Sequence, residues 1–201
     1  MKKTTLAFLI LIMTTILYGQ EITISVAPTI NNALYYQFVA GGPGRNYKPG
    51  FSTSIDYIFP NDKKINFGIG FCYQFSQVKY TPNMNTGNFT GQTDKVSLIS
   101  INFATIYNLK RNFYLSLNPL INLQLNYKSD FITDKQNGLG LSFSIGKHFY
   151  LNDKIQLNIE PKIWINNIFP VQAENLSLRL TTAGLNLGLV FGKKNSQQPE
   201  I

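Results

Sequence analysis

Residues 65–76 read INFGIGFCYQFS and carry the clearest alternation in the chain. Its odd-numbered positions are all aliphatic or aromatic, whereas its even-numbered positions hold Asn, Gly, Gly, Cys, Gln and Ser. Because a β-strand points successive side chains to opposite faces, this segment has one apolar face and one face of small and polar groups. The period of two predicts a strand rather than an amphipathic helix.

The same alternation recurs along the rest of the chain, without a sustained helical period. Residues 113–127 and 155–166 repeat it most clearly. The pattern predicts eight strands, at residues 22–32, 48–59, 64–80, 95–108, 112–128, 138–150, 154–166 and 177–192. In the last strand, Leu178 and Leu180 run out of phase with the apolar residues that follow, which predicts a β-bulge near residues 182–184.

The connections between these strands alternate in length. Residues 60–63, 109–111 and 151–153 are tight turns, whereas the other four connections are long. Long loops are expected at residues 33–47, 81–94, 129–137 and 167–176. Short periplasmic turns and long extracellular loops are typical of an outer-membrane barrel. The sequence therefore predicts an all-β, eight-stranded, antiparallel, up-and-down transmembrane β-barrel.

The direction in which each face points decides the class of barrel. In a soluble lipocalin-like barrel, apolar residues line an internal cavity and the outside is charged. Here the polar face carries mainly Gly, Ser, Asn and Gln, and the chain is 14% charged, against about 25% in soluble domains. We therefore expect apolar side chains to face lipid and polar ones to fill the lumen. The opposite facing would indicate a soluble periplasmic carrier.

Aromatic residues fall on the apolar face near the short turns, where the interfacial girdle of a membrane barrel would lie. The expected girdle consists of Tyr57, Phe59, Tyr107, Phe113, Phe149 and Phe191, and Tyr80 and Tyr127 lie near the long-loop ends. The alternative is that aromatic residues are simply favourable in strands.

A few ionisable residues fall on the face expected to point inward. They are Asp56, Glu160 and Lys162, and Arg179 is grouped with them although the expected bulge leaves its facing open. An eight-stranded barrel is just wide enough for side chains to fill. We therefore expect a polar network that plugs the lumen and in which each acid meets a base. The alternative is a selectivity feature of a pore.

The sequence gives little support for catalysis, and no cofactor is expected. His148 is the single histidine, with Ser142 and Ser144 upstream on its face, but its expected place near a short turn does not suit an enzyme of the outer leaflet. Cys72 is the single cysteine and is expected to be a buried spacer. These counts exclude multi-histidine metal sites and intramolecular disulfides. We predict that the protein is not an enzyme and holds no metal.

Residues 1–20 read MKKTTLAFLILIMTTILYGQ and are expected to form a signal peptide that is cleaved after Gly19 or Gln20. As a helix, the apolar run over residues 6–17 spans about 18 Å, too little for a hydrocarbon core of roughly 30 Å. Lys2 and Lys3 account for two of the 18 basic residues, which leaves 16 against 10 acidic ones. We expect this surplus to face lipid phosphates or lipopolysaccharide, and we expect no nucleic-acid partner.

Three segments resemble a known family. Residues 47–57, YKPGFSTSIDY, with the turn and the aromatic-rich strand that follow, are similar to the small outer-membrane β-barrel proteins of Bacteroidetes, the porin-family or OmpA-like barrels. Residues 138–146, GLGLSFSIG, and 184–191, GLNLGLVF, resemble the same family. The resemblance implies a barrel over residues 21–192 and a short periplasmic tail over residues 193–201. The peptidoglycan-binding domain of full OmpA proteins is expected to be absent.

The pattern and the resemblance together predict an integral outer-membrane protein with a structural or surface-interaction role and with transport limited to small solutes. A small-solute porin and a soluble periplasmic lipocalin-like carrier are the alternatives. We expect a monomer whose loops at residues 33–47 and 81–94 contact a ligand at the cell surface.

Overall fold

The computed structural model describes residues 21–35, 44–59, 64–81, 91–171 and 178–192. The strands are β1 (Glu21–Tyr35), β2 (Gly44–Phe59), β3 (Ile65–Thr81), β4 (Gln92–Asn108), β5 (Phe113–Gln124), β6 (Gly138–Tyr150), β7 (Ile155–Pro170) and β8 (Leu178–Phe191). A short 3-10 helix, Lys110–Asn112, forms the turn between β4 and β5. In this part of the chain, no helix is long and apolar enough to cross a membrane.

The eight strands form one closed antiparallel barrel. Each strand pairs with the next in the chain, and β1 pairs with β8 to complete the wall. Ile22 marks the closure, because it lies opposite Tyr57 on β2 and opposite Phe191 on β8. Closure removes the unpaired edges that an open sheet would present. The predicted all-β, eight-stranded, up-and-down antiparallel barrel is confirmed.

The strand boundaries differ from the prediction mainly at the long-loop end. β2 begins at Gly44 and β7 continues to Pro170, so both strands extend beyond their alternating segments. β5 instead ends at Gln124, and the side chain of Asn126 then takes over the pairing with β4. Asn126 accepts from Ser97 N and donates to Lys95 O, both at 2.8 Å.

β8 continues in register past the predicted bulge at residues 182–184, so that prediction is wrong. Thr182 lies opposite Trp164 on β7 in the same register that the rest of the strand keeps. Leu178 and Leu180 therefore point into the barrel, in phase with Thr182. The register shifts of the wall occur elsewhere, between Tyr47 and Phe51 on β2 and between Leu139 and Leu141 on β6.

Several predictions concern segments outside the described residues. The signal peptide at residues 1–20 and the tail at residues 193–201 are two of them. Most of the two expected ligand-binding loops, at residues 36–43 and 82–90, is also outside.

Candidate functional site

The outer face of the wall carries a belt of exposed apolar side chains. On β3, Phe67 and Phe71 are 54% and 57% exposed, and Leu123 on β5 is 54% exposed. The alternate positions point inward, so that Ser116 and Gln124 on β5 are buried. Along this belt, the predicted facing of apolar residues outward and polar residues inward is confirmed.

The six predicted girdle residues all lie on the outward face near the short turns. Phe59, Tyr107, Phe113 and Phe149 are exposed, and Tyr57 and Phe191 are half-buried. The rings of Tyr57 and Phe59 pack edge to face with their centroids 5.2 Å apart.

Lys147 joins this aromatic group, and sequence reasoning missed it. Its ammonium lies 4.9 Å from the ring centroid of Phe113 and 5.3 Å from that of Phe149. A cation over aromatic faces is attracted by their quadrupoles, and its long stem can cover apolar surface while the charge reaches water. The signal was present in the sequence, because Lys147 occupies an outward position between Ile145 and Phe149 on β6.

Three of the four predicted interior residues lie together inside the barrel. Lys162 and Glu160 are two residues apart on β7, with Nζ 3.7 Å from Oε1. Asp56 on β2 accepts hydrogen bonds from Ser54 Oγ at 2.7 Å and from Asn102 Nδ2. Among the described residues, the salt bridge found inside the barrel joins Lys162 and Glu160. We expected Asp56 to pair with a base as well, but its hydrogen-bond donors are neutral.

Glu160 is the best-satisfied of these charges. Tyr114 Oη and Ser144 Oγ donate to Oε2 at 2.8 and 2.9 Å, and Asn186 Nδ2 donates to Oε1 at 2.6 Å. The ammonium of Lys162 also lies 5.4 Å from the ring centroid of Trp164. Both charged residues are buried, and removing one partner of a buried pair leaves an uncompensated charge. The contacts of Glu160 join side chains from β5, β6 and β8 to β7, so they stabilise the interior of the barrel.

Arg179 does not join this group. It alternates with the inward-pointing Leu178 and Leu180 and lies opposite Leu34, on the outward phase of β8, although its side chain is buried. The residue of β8 opposite Glu160 is Asn186, seven residues further along. At about 3.3 Å per residue, that separation is roughly 23 Å along the strand. Arg179 therefore lies at the long-loop end of the barrel.

His148 points inward near the β6–β7 turn, where its Nδ1 donates to Asn158 Oδ1 and its ring stacks on Tyr114 with centroids 4.4 Å apart. Ser144 donates to Glu160, and Ser142 accepts from Asn118 Nδ2 at 3.2 Å. Residues four apart on a strand are about 13 Å apart, so Ser144 does not reach the imidazole. The structure therefore does not pair Ser142 or Ser144 with His148 as a nucleophile and base.

The interior is tightly filled at the level of the charged residues. A cavity of about 10 Å³ lies there, with Cys72, Asn102 and Lys162 in its lining. This is close to the smallest volume that holds one water molecule. Cys72 is buried beside the cavity, where we expected a small spacer.

A second polar layer lies further toward the long loops. Asn31 Oδ1 accepts from Ser76 Oγ and from Thr182 Oγ1, both at 2.9 Å. Gln74 Nε2 donates to both of these hydroxyls, to Ser76 Oγ at 3.0 Å and to Thr182 Oγ1. Because these residues come from β1, β3 and β8, the network spans the lumen.

Beyond this layer the interior becomes apolar, and the prediction of a polar interior is wrong there. The cluster, which we call the outer plug, consists of Ala33, Val78, Tyr80, Val96, Leu98, Leu178 and Leu180, each at most 2% exposed. Tyr80 is one of the two aromatics that we had noted near the long-loop ends, and its ring lies inside the barrel. On β3 the outward positions at this height are the polar Gln77 and Lys79, and the apolar Val78 and Tyr80 point inward.

The connection between β5 and β6 folds over the outer plug. Phe131 and Ile132 pack against it. Thr133 is fully buried, with its N donating to Asp94 Oδ2 at 2.7 Å and its Oγ1 2.7 Å from Tyr80 Oη. Gln136 is also fully buried, donating to Leu178 O at 2.8 Å. Residues 125–137 thus cover the long-loop end of the described interior, and the sequence pattern gave no signal for these contacts.

Comparisons with known proteins place the fold. No protein-family model and no curated protein matches this chain. The barrel is similar to the crystal structure of Neisserial surface protein A, NspA, with a TM-score of 0.57 at 12% identity over 87% of this chain and 97% of that one. This chain therefore has the fold of a small outer-membrane barrel. The outer membrane protein OprG from Pseudomonas aeruginosa is also similar, with a TM-score of 0.52 at 12% identity over 87% of this chain and 96% of that one.

Proposed function

We propose that the chain is an integral outer-membrane β-barrel protein with a structural or surface-interaction role. The facing of the wall carries this proposal, because exposed apolar residues such as Phe71, Ile121, Phe143 and Leu187 occur on strands all around the barrel. Soluble monomers rarely expose a contiguous apolar patch larger than roughly 600 Å². A closed barrel with an apolar outside instead suits hydrocarbon, because all of its backbone pairing is internal.

The girdle residues and Lys147 support an orientation for this barrel. Aromatic rings with a nearby cation are favoured at the boundary between hydrocarbon and water. With these residues at the inner boundary, the short turns and both termini of the chain are periplasmic and the long loops are extracellular. A cleaved signal peptide, contact with lipopolysaccharide, a monomeric state, a surface ligand and kinship with the OmpA-like barrels of Bacteroidetes belong to the same proposal.

The filled interior favours a structural role over a small-solute porin. The pair of Glu160 and Lys162, the layer around Asn31 and the outer plug occupy successive levels of the lumen. Asp56, Glu160 and Lys162 are therefore assigned to an internal network rather than to a selectivity filter, and transport is limited to small solutes. A soluble lipocalin-like carrier would need an apolar cavity inside the barrel, and the observed facing argues against it.

The proposal is tested on the chain refolded into lipid vesicles. We expect a strand-rich circular dichroism spectrum, a shift in gel mobility on boiling, and no single-channel steps in planar bilayers. A chain that stays in the soluble fraction and shows no shift on boiling would contradict membrane residence. Discrete channels would favour the porin instead.

A further inference from the structure

Lysines gather at one side of the long-loop rim. Lys79 on β3 and Lys95 on β4 are exposed, and each lies just beyond the apolar belt of its own strand. Lys128 is exposed and Lys135 is half-buried in the segment that follows β5. We call this group, with Tyr127, the rim cluster.

The strand register brings the rim cluster together. Lys79 and Lys95 are diagonal neighbours on one face of the β3–β4 pair, a position in which Cβ atoms are about 7 Å apart. The side chain of Asn126 holds the next segment against β4, because it donates to Lys95 O at 2.8 Å. Lys128 follows Asn126 by two residues, so Lys79, Lys95 and Lys128 lie along one stretch of the rim.

An exposed aromatic ring lies among these cations. Tyr127 is 40% exposed and packs edge to face against Phe131, with centroids 6.2 Å apart. The ammonium of Lys135 lies 6.0 Å from the centroid of the Tyr127 ring. An exposed ring held in this way offers a flat apolar surface next to positive charge.

The acids of this sector leave most of that charge available. Asp94 is fully buried and accepts hydrogen bonds from Gln92 Nε2 at 2.6 Å and from Thr133 N at 2.7 Å. Asp134 accepts from Leu178 N, toward the interior. Asp130 is exposed beside the rim cluster, where it opposes four lysines with one carboxylate. The sector is therefore a net positive surface above a lipid-facing belt.

We propose that the rim cluster binds the phosphorylated sugar headgroup of lipopolysaccharide. The lysines match the phosphates, the exposed face of Tyr127 matches a sugar ring, and the belt of β3 to β5 below them matches several acyl chains. Phosphate alone would use the first of these features and not the other two. The inference rests on the proposed function, because only a barrel inserted with its long loops outward has this rim at the outer leaflet.

The test compares two triple variants of the refolded chain in detergent micelles, titrated with bisphosphorylated lipid A. The rim variant carries Lys79→Gln, Lys95→Gln and Lys128→Gln. The matched control carries Lys64→Gln, Lys110→Gln and Lys154→Gln, which removes three exposed lysines near the short turns. We expect the rim variant to bind lipid A at least about tenfold more weakly, since each lysine near an anionic surface contributes substantially. The control should bind like the unmodified protein.

Three further ligands separate the sources of phosphate. Dephosphorylated lipid A, phosphatidylglycerol and inorganic pyrophosphate should each bind the unmodified protein more weakly than lipid A. Equal losses in both triple variants, or no loss in the rim variant, would overturn the site. Phosphatidylglycerol or pyrophosphate binding as tightly as lipid A would overturn the assignment to a glycolipid. A protein that inserts into vesicles and shifts on boiling but ignores lipid A refutes this inference and leaves the proposed function intact.

Discussion

Residues 65–75 of β3 turn apolar side chains outward and small or polar ones inward, whereas residues 77–80 of the same strand do the reverse. Phe71 is exposed at the outside of the first region, with Cys72 buried behind it. In the second region Lys79 is exposed and Tyr80 is fully buried. One strand with unbroken pairing to β4 thus follows two opposite patterns.

β4 changes its pattern at the same height. Ile99 faces outward with Ser100 behind it, but further along Lys95 faces outward with Val96 behind it. The two changes occur at the same height of the barrel. Phe75, the last apolar outward residue of β3, lies opposite Ser97, the first polar outward residue of β4 beyond the belt. This contrast agrees with the proposed membrane residence, in which the medium outside the wall decides which side chains point inward. In the proposed orientation the wall meets water where the belt ends, and there it packs an apolar core like that of a soluble barrel.

The largest expected effect concerns the interior behind the belt. Lys162→Met leaves the Glu160 carboxylate buried without its ion-pair partner, and we expect a loss of about 3–5 kcal/mol in the free energy of unfolding. Urea titration in lipid vesicles measures it. The double variant with Glu160→Gln removes the opposing charge as well and should recover much of the loss. If Lys162→Met left the free energy of unfolding unchanged, the belt region would not depend on its polar interior.

The next effect concerns the outside of the belt. Phe71→Arg puts a charge in the hydrocarbon, and we expect it to destabilise the barrel by about 2–4 kcal/mol. Gln77→Arg, six residues along the same outward face, is the matched control and should cost less than about 1 kcal/mol. The same vesicle titration compares them. Equal costs at the two positions would break the distinction between the two regions.

The smallest expected difference concerns the outer plug, compared within β8. Leu180 is fully buried in the plug, whereas Leu187 is 40% exposed on the belt. Leu180→Ala should cost about 3 kcal/mol, because it removes buried methyl groups and leaves a cavity. Leu187→Ala should cost about 1.5 kcal/mol, because lipid fills the space. Equal losses in vesicle unfolding would argue against a packed plug.

The strand pattern predicted most of the barrel from the sequence. Alternation with a period of two can be recognised within a single segment. The run from Ile65 to Phe75 therefore predicts both the strand and the direction of its two faces without knowledge of any other segment. The position of Glu160 and Lys162 inside the wall followed from the same alternation. Their partners did not, because Tyr114 and Asn186 come from other strands and depend on the closed register.

The outer plug was missed because one rule was applied along whole strands. Leu178 and Leu180 indicate a bulge only if apolar residues face outward along the whole of β8. Gln77 and Lys79 carry the contrary signal, since polar residues occupy the outward phase there. The burial of Thr133 and Gln136 carries no local signal, because it depends on contacts with distant strands.

The most direct test of the account measures which medium each outward position of β3 meets. Nitroxide labels are placed singly at Phe67, Phe71, Phe75 and Lys79, in a Cys72→Ser background, and the barrel is inserted into vesicles. Collision rates are then compared for oxygen, which concentrates in lipid, and for a water-soluble nickel chelate. We expect oxygen to collide more often with the labels at the first three positions, and the chelate to collide more often with the label at Lys79. A label at Phe71 that the chelate reaches as readily as it reaches Lys79 would contradict the account.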